Sequence, residues 1–231
     1  MPAYQHLFFD LDHTLWDFHR NSEETLHQLY NDFQLKSLGA KSASLFIETY
    51  KQINHQLWDD YQKGKISKEL LRNSRFRSAF KASGFDGEHI ADSFSEQYLQ
   101  VCPTKPHLLP NAREVLDYLQ GKYNMSIITN GFAEVQHIKL KQAGIDGFFS
   151  HVFISEIIGF QKPDARIFQH AAAVTGAATD SSLMIGDNYE TDISGAINAG
   201  FDHVYFNPQQ VPHKLSVQKE ISDLKELMEI L

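Results

Sequence analysis

A single cysteine in 231 residues removes the internal disulfide from the ways this chain is held together and fits a reducing compartment. That residue, Cys102, adjoins Pro103 in a proline-flanked connection, a poor setting for a catalytic thiol. Long apolar runs are missing as well. None approaches the ~20 residues that a membrane span needs, and the segment Met1 to His6 is polar, with the apolar run after it stopping at Asp10, unlike a secretory leader. A soluble, cytoplasmic protein is expected, with no membrane partner. Positive charge is scarce: 21 Lys and Arg face 29 Asp and Glu, a net charge of −8. That balance argues against non-specific binding to nucleic acid. It leaves room for an anionic small molecule, because a local site can be positive on an acidic protein. The twelve histidines show no spacing typical of a zinc site.

What the chain does have is ordinary globular material, 42% apolar and 22% charged, enough for one large domain or a core with an insertion. The apolar run Leu7-Phe8-Phe9, so near the N-terminus, reads as a buried strand, Gln5 to Phe9, of a mostly parallel sheet. From about Ser22 to Val101 the texture changes to apolar residues at spacings of three and four. Leu26, Leu29, Tyr30 and Phe33 mark one helix, and Leu45, Phe46, Tyr50, Ile53, Leu57 and Tyr61 a longer one. Leu70, Leu71, Phe76 and Phe80 mark a third, and Ile90, Phe94, Tyr98 and Val101 a fourth. Gly39, Gly64, Gly84 and Gly87 break them, and Ser22 and Ser67 have the look of N-caps. The aromatic stripes are expected to be this module's core. Pro103, Pro106 and Pro110 then stiffen a linker that should exclude helix.

From Asn111 onward helix and strand alternate. Helix 111–120 precedes strand Met125–Thr129, and helix 133–143 precedes strand His151–Ile154. A helix after Pro163 precedes strand Leu183–Ile185, and a helix ending at Ala199 precedes strand His203–Phe206, with a last helix from about Ser222. This pattern predicts an α/β fold, a doubly wound (Rossmann-like) parallel sheet with an inserted all-helical domain. The core takes residues 1–16 and 106–231, and the helical module 17–105.

Parallel sheets bind ligands beyond the carboxyl ends of their strands, and here those ends are polar. They carry Asp10 and Asp12, then Thr129-Asn130-Gly131, then Lys162 in the loop after the His151 strand, then Gly186-Asp187 with Asp192 beyond. Asp10, Asp12 and Asp187 bring about −3, a phosphate monoester would add about −2, and Lys162 returns one positive charge. A hard divalent cation with oxygen ligands would balance the set, and Mg2+ is the natural choice. Helix N-termini and loop amides would hold the remaining phosphate oxygens. Taken singly, Asp12 and Thr14 could cap a turn and Lys162 could be a solvated lysine. Four segments converging on one site argue jointly against that.

The four segments D-L-D-H-T-L (Asp10 to Leu15), I-I-T-N-G (Ile127 to Gly131), Lys162-Pro163 and G-D-N-Y-E-T-D (Gly186 to Asp192), in that order, resemble the haloacid dehalogenase superfamily with a helical C1 cap after the first motif. The resemblance implies a phosphohydrolase in which Asp10 is the nucleophile, forming an aspartyl-phosphate, and Asp12 the acid and base. Thr129, Asn130, Gly131 and Lys162 would hold the phosphoryl group. Asp10, the backbone carbonyl of Asp12, and Asp187 would bind one Mg2+, supported by Asp192. His13 would be a surface or gate residue. Family members that cleave carbon–halogen bonds typically lack the second aspartate, so Asp12 favours phosphoryl transfer over dehalogenation. A receiver-type phospho-accepting module lacks such a helical insertion, and an idle ligand-binding descendant would not need the full residue set.

Finer similarity, in L-W-D-D-Y-Q-K-G-K-I (Leu57 to Ile66), I-T-N-G-F (Ile128 to Phe132) and I-S-E-I-I-G-F-Q-K-P (Ile154 to Pro163), resembles bacterial 5′-nucleotidases acting on pyrimidine nucleoside monophosphates. N-acylneuraminate-9-phosphatases share a similar core, so a sugar phosphate is the alternative substrate. Trp58 and Tyr61 are the aromatics expected to contact the base, unless they pack the cap's own core. A monomer or weak homodimer is expected.

Overall fold

The computed structural model describes residues 4–214 and 216–231; Met1 to Ala3 of the polar N-terminal segment, and Leu215, lie outside the described residues. Six strands, β1 (His6–Phe9), β2 (Asn124–Thr129), β3 (His151–Ile154), β4 (Ser182–Gly186), β5 (Asp202–Phe206) and β6 (Lys219–Ile221), form one sheet in the order β3-β2-β1-β4-β5-β6. Every pairing is parallel. The chain begins in the middle of the sheet, winds outward through β2 to β3, and returns to the other side of β1 as β4. That reversal makes the end of β1 the switch point where ligands of such sheets bind.

The helices, in chain order, are α1 (Phe18–Asp32), α2 (Ala43–Gln62), α3 (Lys68–Ala82), α4 (Ala91–Val101), α5 (Ala112–Leu119), α6 (Ala133–Gln142), α7 (Ser155–Ile158), α8 (Ala165–Thr175), α9 (Ser194–Ala199) and α10 (Leu227–Ile230). The fold is α/β and doubly wound, as the alternation of patterns predicts. β1 and β4 are buried along their whole length, which is why they read as unbroken apolar runs rather than alternating ones. On one face Phe8, Ile128, Phe153 and Met184 pack with Ile167, Phe168 and Ala171 of α8 and Ala196 of α9.

The chain divides into two compact units, Met1–Phe18 with Pro106–Leu231, and His19–Lys105. In the first, the outgoing and returning strands of the chain are tied together. The Asp17 N–H donates to the His107 carbonyl at 3.0 Å and the Leu109 N–H to the Leu15 carbonyl at 2.9 Å.

The second unit is all helix. Its core is aromatic: Phe46, Tyr50, Phe76, Phe80, Phe94 and Tyr98 are each at most 3% exposed. Tyr50 stacks on Phe76 at 4.9 Å, and Phe76 meets Phe94 at 4.9 Å. These stripes are core, as their spacing suggests; burying each such ring is worth about 1.5–3 kcal/mol. Ser67 is the N-cap of α3, accepting from the Leu70 N–H at 3.1 Å.

Several readings need correction. Ser22 is no cap: α1 starts four residues earlier, and the buried Ser22 hydroxyl accepts from the Tyr98 hydroxyl at 2.7 Å. Leu45 and Leu70 stand 45% and 50% exposed, outside the stripes their spacing seemed to join. The proline-rich linker holds one 3-10 turn, Cys102–Thr104, since a proline at the first turn loses no hydrogen bond. At the C-terminus the helix expected from Ser222 is broken into a 3-10 turn (Leu224–Glu226) and the short α10, and an unexpected edge strand, β6, precedes it. Asp223 and Glu226 form a capping box there, one residue after the expected start, and it opens the 3-10 turn.

Candidate active site

The site grows from the loop after β1. The pairing of β1 with β4 runs one residue further, with the Asp10 N–H donating to the Ile185 carbonyl at 2.9 Å. The loop then closes tightly. The Leu15 and Trp16 N–H groups both donate to the Leu11 carbonyl, at 3.0 and 2.9 Å, and His13 adopts a left-handed φ of 65°. This turn buries Asp10 while leaving Asp12 half-buried.

Lys162, 2% exposed, comes in from the loop after β3. Its Nζ donates to Asp10 Oδ1 at 2.5 Å and to the Ile128 carbonyl at 2.8 Å, and lies 2.6 Å from Asp192 Oδ1. The lysine is itself anchored through its peptide. The Asn130 side-chain amide donates to the Lys162 carbonyl and accepts from the Lys162 N–H, both at 2.9 Å. Asn130 therefore commits one side-chain donor and its amide oxygen to anchoring Lys162. Beside it, the buried Thr129 hydroxyl accepts from the Gly131 N–H at 3.0 Å, so its own proton is free to be donated.

The fourth segment supplies Asp187 and Asp192. The Thr14 hydroxyl donates to Asp187 Oδ1 at 3.0 Å and accepts from the Asp187 N–H at 3.1 Å, fixing that loop to the first one. Asp192 is held by a π-helical turn, Tyr189–Ile193, capped by Asn188, and its Oδ2 accepts from the Asn188 N–H at 3.0 Å. Gly186 leaves space for it: a Cβ there would lie 2.3 Å from Asp192 Oδ2.

Among the described residues, one group of carboxylates could hold a metal ion: oxygens of Asp10, Asp187 and Asp192 all lie within 4.8 Å of one another. Burial, chiefly, pushes the Asp10 carboxyl up to about 7, with Lys162 opposing and Asp192 adding to the rise. Burial followed by the charges of Asp10 and Asp192 lifts Asp187 well above the usual carboxylate range. For Lys162 burial favours the neutral amine, but Asp10 and Asp192 outweigh it, and the ammonium is retained. The carboxylates thus lack positive charge, and their hard oxygen donors suit Mg2+.

The sequence reading missed a second lysine. Lys139, on α6, lies 2.7 Å from both carboxylate oxygens of Asp12 and 4.6 Å above the Trp16 ring. Its side chain is 6% exposed. A local signal existed: Val135 and Lys139, then Gln136 and Leu140, are pairs four apart, and all four are buried, so Lys139 sits on the helix's inward stripe. Four carboxylates and two lysines now share the sheet edge, −4 + 2 = −2 with all ionised. Trp58 and Tyr61, by contrast, belong to the helical unit, where they meet edge to face at 5.6 Å, half-buried and outside its aromatic core.

No helix among the described residues is long and apolar enough to cross a membrane. The sequence profile of the haloacid dehalogenase-like hydrolases matches residues 4–200. Pyrimidine 5′-nucleotidase PynA of Streptococcus pneumoniae is 34% identical over 99% of this chain and 95% of its own. Pyrimidine 5′-nucleotidase YjjG of Escherichia coli is 31% identical over 97% and 96%. In three dimensions the chain superposes on HAD-hydrolase YfnB of Bacillus subtilis, crystallised with magnesium and described as showing interdomain movement, with a TM-score of 0.88. That match has 28% identity over 99% of this chain and 98% of the other. With the strand-end aspartates and Lys162 gathered at the switch point of a doubly wound sheet, these matches show that the chain belongs to the haloacid dehalogenase-like hydrolase family.

Proposed function

We propose that the protein is a cytoplasmic, Mg2+-dependent phosphatase that hydrolyses pyrimidine nucleoside 5′-monophosphates through an aspartyl-phosphate on Asp10. The observation that carries the reading is the separate pairing of two aspartates at one strand end, Asp10 with Lys162 and Asp12 with Lys139. Such a pair can divide nucleophile and acid–base work between them. The two nucleotidase relatives and the magnesium form of YfnB support the substrate and the metal.

Lys162 engages one oxygen of Asp10 and leaves the other to attack phosphorus. As that bond forms, the bond from phosphorus to the nucleoside oxygen breaks, and Asp12 gives the departing oxygen its proton. Water then attacks phosphorus, Asp12 takes its proton, and the Asp10–phosphorus bond breaks to release phosphate. Thr129 donates its free hydroxyl proton to a phosphoryl oxygen, and Lys162 offsets the charge that develops on the transferring group. Asp10 and Asp187, with the Asp12 carbonyl and Asp192 in support, would hold Mg2+, which when bound neutralises the excess negative charge and screens the phosphate from the carboxylates. Selection among phosphate monoesters falls to the helical unit, since the phosphate-handling residues all lie in the core unit. Trp58 and Tyr61 are its candidate base contacts.

Dehalogenation is the second reading, since a 2-haloacid dehalogenase structure from Pseudomonas syringae superposes with a TM-score of 0.67 at 26% identity. A departing halide needs no proton, which leaves Asp12 and its lysine without a task. Turnover with Mg2+ of UMP, dTMP, purine monophosphates, sugar phosphates including N-acylneuraminate 9-phosphate, and 2-haloacids decides the matter. Pyrimidine monophosphates are expected to lead, and Asp10→Asn to abolish turnover. Preference for a sugar phosphate would overturn the substrate, and halide release or full activity of Asp10→Asn would overturn the phosphatase.

A further inference from the structure

Lys139 has no place in the motifs that identify the family, yet it is a buried lysine aimed at the acid–base. Its ammonium meets both oxygens of Asp12 at 2.7 Å, its stem is 6% exposed, and it lies over the fully buried ring of Trp16. A charged side chain is retained at such depth only when partnered, and among the described residues its carboxylate partner is Asp12. Trp16 in turn belongs to the loop that carries Asp12, because its N–H donates to the Leu11 carbonyl and its carbonyl accepts from the His13 N–H. The same lysine therefore grips the loop by ring and by carboxylate together.

We propose that Lys139 is a positioning residue: it holds the Asp12 carboxyl group at the proton-transfer position and away from the Asp10, Asp187 and Asp192 cluster. The proposal rests on the reading of Asp12 as acid and base. The reasoning is electrostatic and geometric. Lys162 is shared by Asp10 and Asp192, and any cation held at those carboxylates would attract a fourth. Asp12 is two residues from Asp10, and its side chain is 20% exposed, against 10% for that of Asp10. Without Lys139, nothing would hold its carboxylate against a cation bound at the centre of the site. There it can neither meet the leaving oxygen nor admit water. The ammonium occupies one lone-pair direction on each Asp12 oxygen and leaves the opposite edge open for the proton.

The readout is the dependence of kcat/KM on leaving group, measured with Mg2+ across substituted phenyl phosphates from good to poor leaving groups. These rates stop at the formation of the aspartyl-phosphate, so they report acid catalysis of departure alone. Wild-type protein is expected to show a shallow dependence. Asp12→Asn is expected to show a steep one, with about 10²-fold or greater loss on poor leaving groups and a few-fold loss on good ones. Lys139→Met should follow Asp12→Asn in slope, with about 10-fold or greater loss on the poorest leaving group, and Lys139→Arg should return toward wild type. If Lys139→Met does not fold, Lys139→Gln, which is one atom shorter and uncharged but keeps a donor group, carries the comparison. An equal loss on all phosphates, with the wild-type slope, means that Lys139 only supports the fold and overturns the proposal. A wild-type slope in Asp12→Asn overturns the reading of Asp12 itself, a result distinguishable from the first.

Discussion

Gly186 closes β4 immediately before Asp187, and the reason it carries no side chain can be tested by adding one. In Gly186→Ala the new Cβ would lie 2.3 Å from Asp192 Oδ2, 2.5 Å from its Cγ and 2.6 Å from its Cβ. Ordinary contact begins near 3.4 Å, so something has to move by about 1 Å. The strand does not give easily: Ile185 pairs with β1 on one side, and Gly186 pairs with Tyr205 on the other. Asp192 does not give easily either. It is 1% exposed, lies 2.6 Å from Lys162 and accepts from the Asn188 N–H. Overpacking of this kind costs about 1–3 kcal/mol, which for a chain of this size lowers Tm by roughly 2–12 °C. A 1 Å displacement in a catalytic cluster costs on the order of 10²-fold in rate. Thermal unfolding with and without Mg2+, together with turnover of UMP, reads both. Gly147→Ala, where nothing lies within 4 Å of the new Cβ, serves as the control and should stay within about 0.5 kcal/mol of wild type. Wild-type Tm and wild-type turnover in Gly186→Ala would refute the idea that Asp192 is fixed against the strand.

The pH dependence of stability is expected to depend on the cation. The Asp10 carboxyl stands at about 7 in the fold against an ordinary 3.8, so between those values the folded chain keeps a proton that the unfolded chain has released. In EDTA, stability present below pH 3.8 is then lost as pH rises through about 7, Asp187 pulling the same way; urea unfolding at a series of pH values should show the fall, and Asp10→Asn should flatten it. Asn130→Ala removes both hydrogen bonds to the Lys162 peptide and leaves a buried N–H and carbonyl unpaired. At about 1–3 kcal/mol for each unsatisfied group, urea unfolding should show a loss of about 2–6 kcal/mol, with turnover falling alongside. Unchanged stability would mean that Lys162 is held by its side chain alone.

How much of this was legible in the sequence depended on how local the cause was. The sheet, its order of helix and strand, and the strand-end residues Asp10, Thr129, Lys162 and Asp187 could be read because each is set by a run of neighbours and by the rule that places ligands at strand ends. Ser22 could not. Its sequence context, serine followed by Glu23 and Glu24, is that of a cap, but the deciding event is a hydroxyl from Tyr98, 76 positions away. β6 escaped for a similar reason, since Lys219-Glu220-Ile221 has no strand pattern and is held by pairing to β5. Lys139 lies between the two cases. Nothing in K-L-K names a partner 127 residues away, yet its place on the inward stripe of α6 marks it as a lysine that has to be buried.

The charge left over at the sheet edge also couples the cation to the phosphate in the proposed reaction. With four carboxylates and two lysines the site carries −2 when fully ionised, and burial first, then the neighbouring carboxylates, raises Asp10 and Asp187. A phosphate monoester brings about −2 of its own near neutral pH. Two such groups do not approach at contact distance in a buried setting, where opposite charges attract strongly and like charges repel with equal strength. In the proposed reaction a divalent cation would bring the site to neutrality, since −2 + 2 = 0, and the phosphate's charge would then be met by the Thr129 hydroxyl and the loop amides. The two lysines alone cannot do this work, because each is already committed: Lys162 to Asp10 and Asp192, Lys139 to Asp12. On the proposed reaction, phosphate affinity should therefore rise with the cation, and so depend on the carboxylates that would hold that cation as much as on the groups that touch the phosphate.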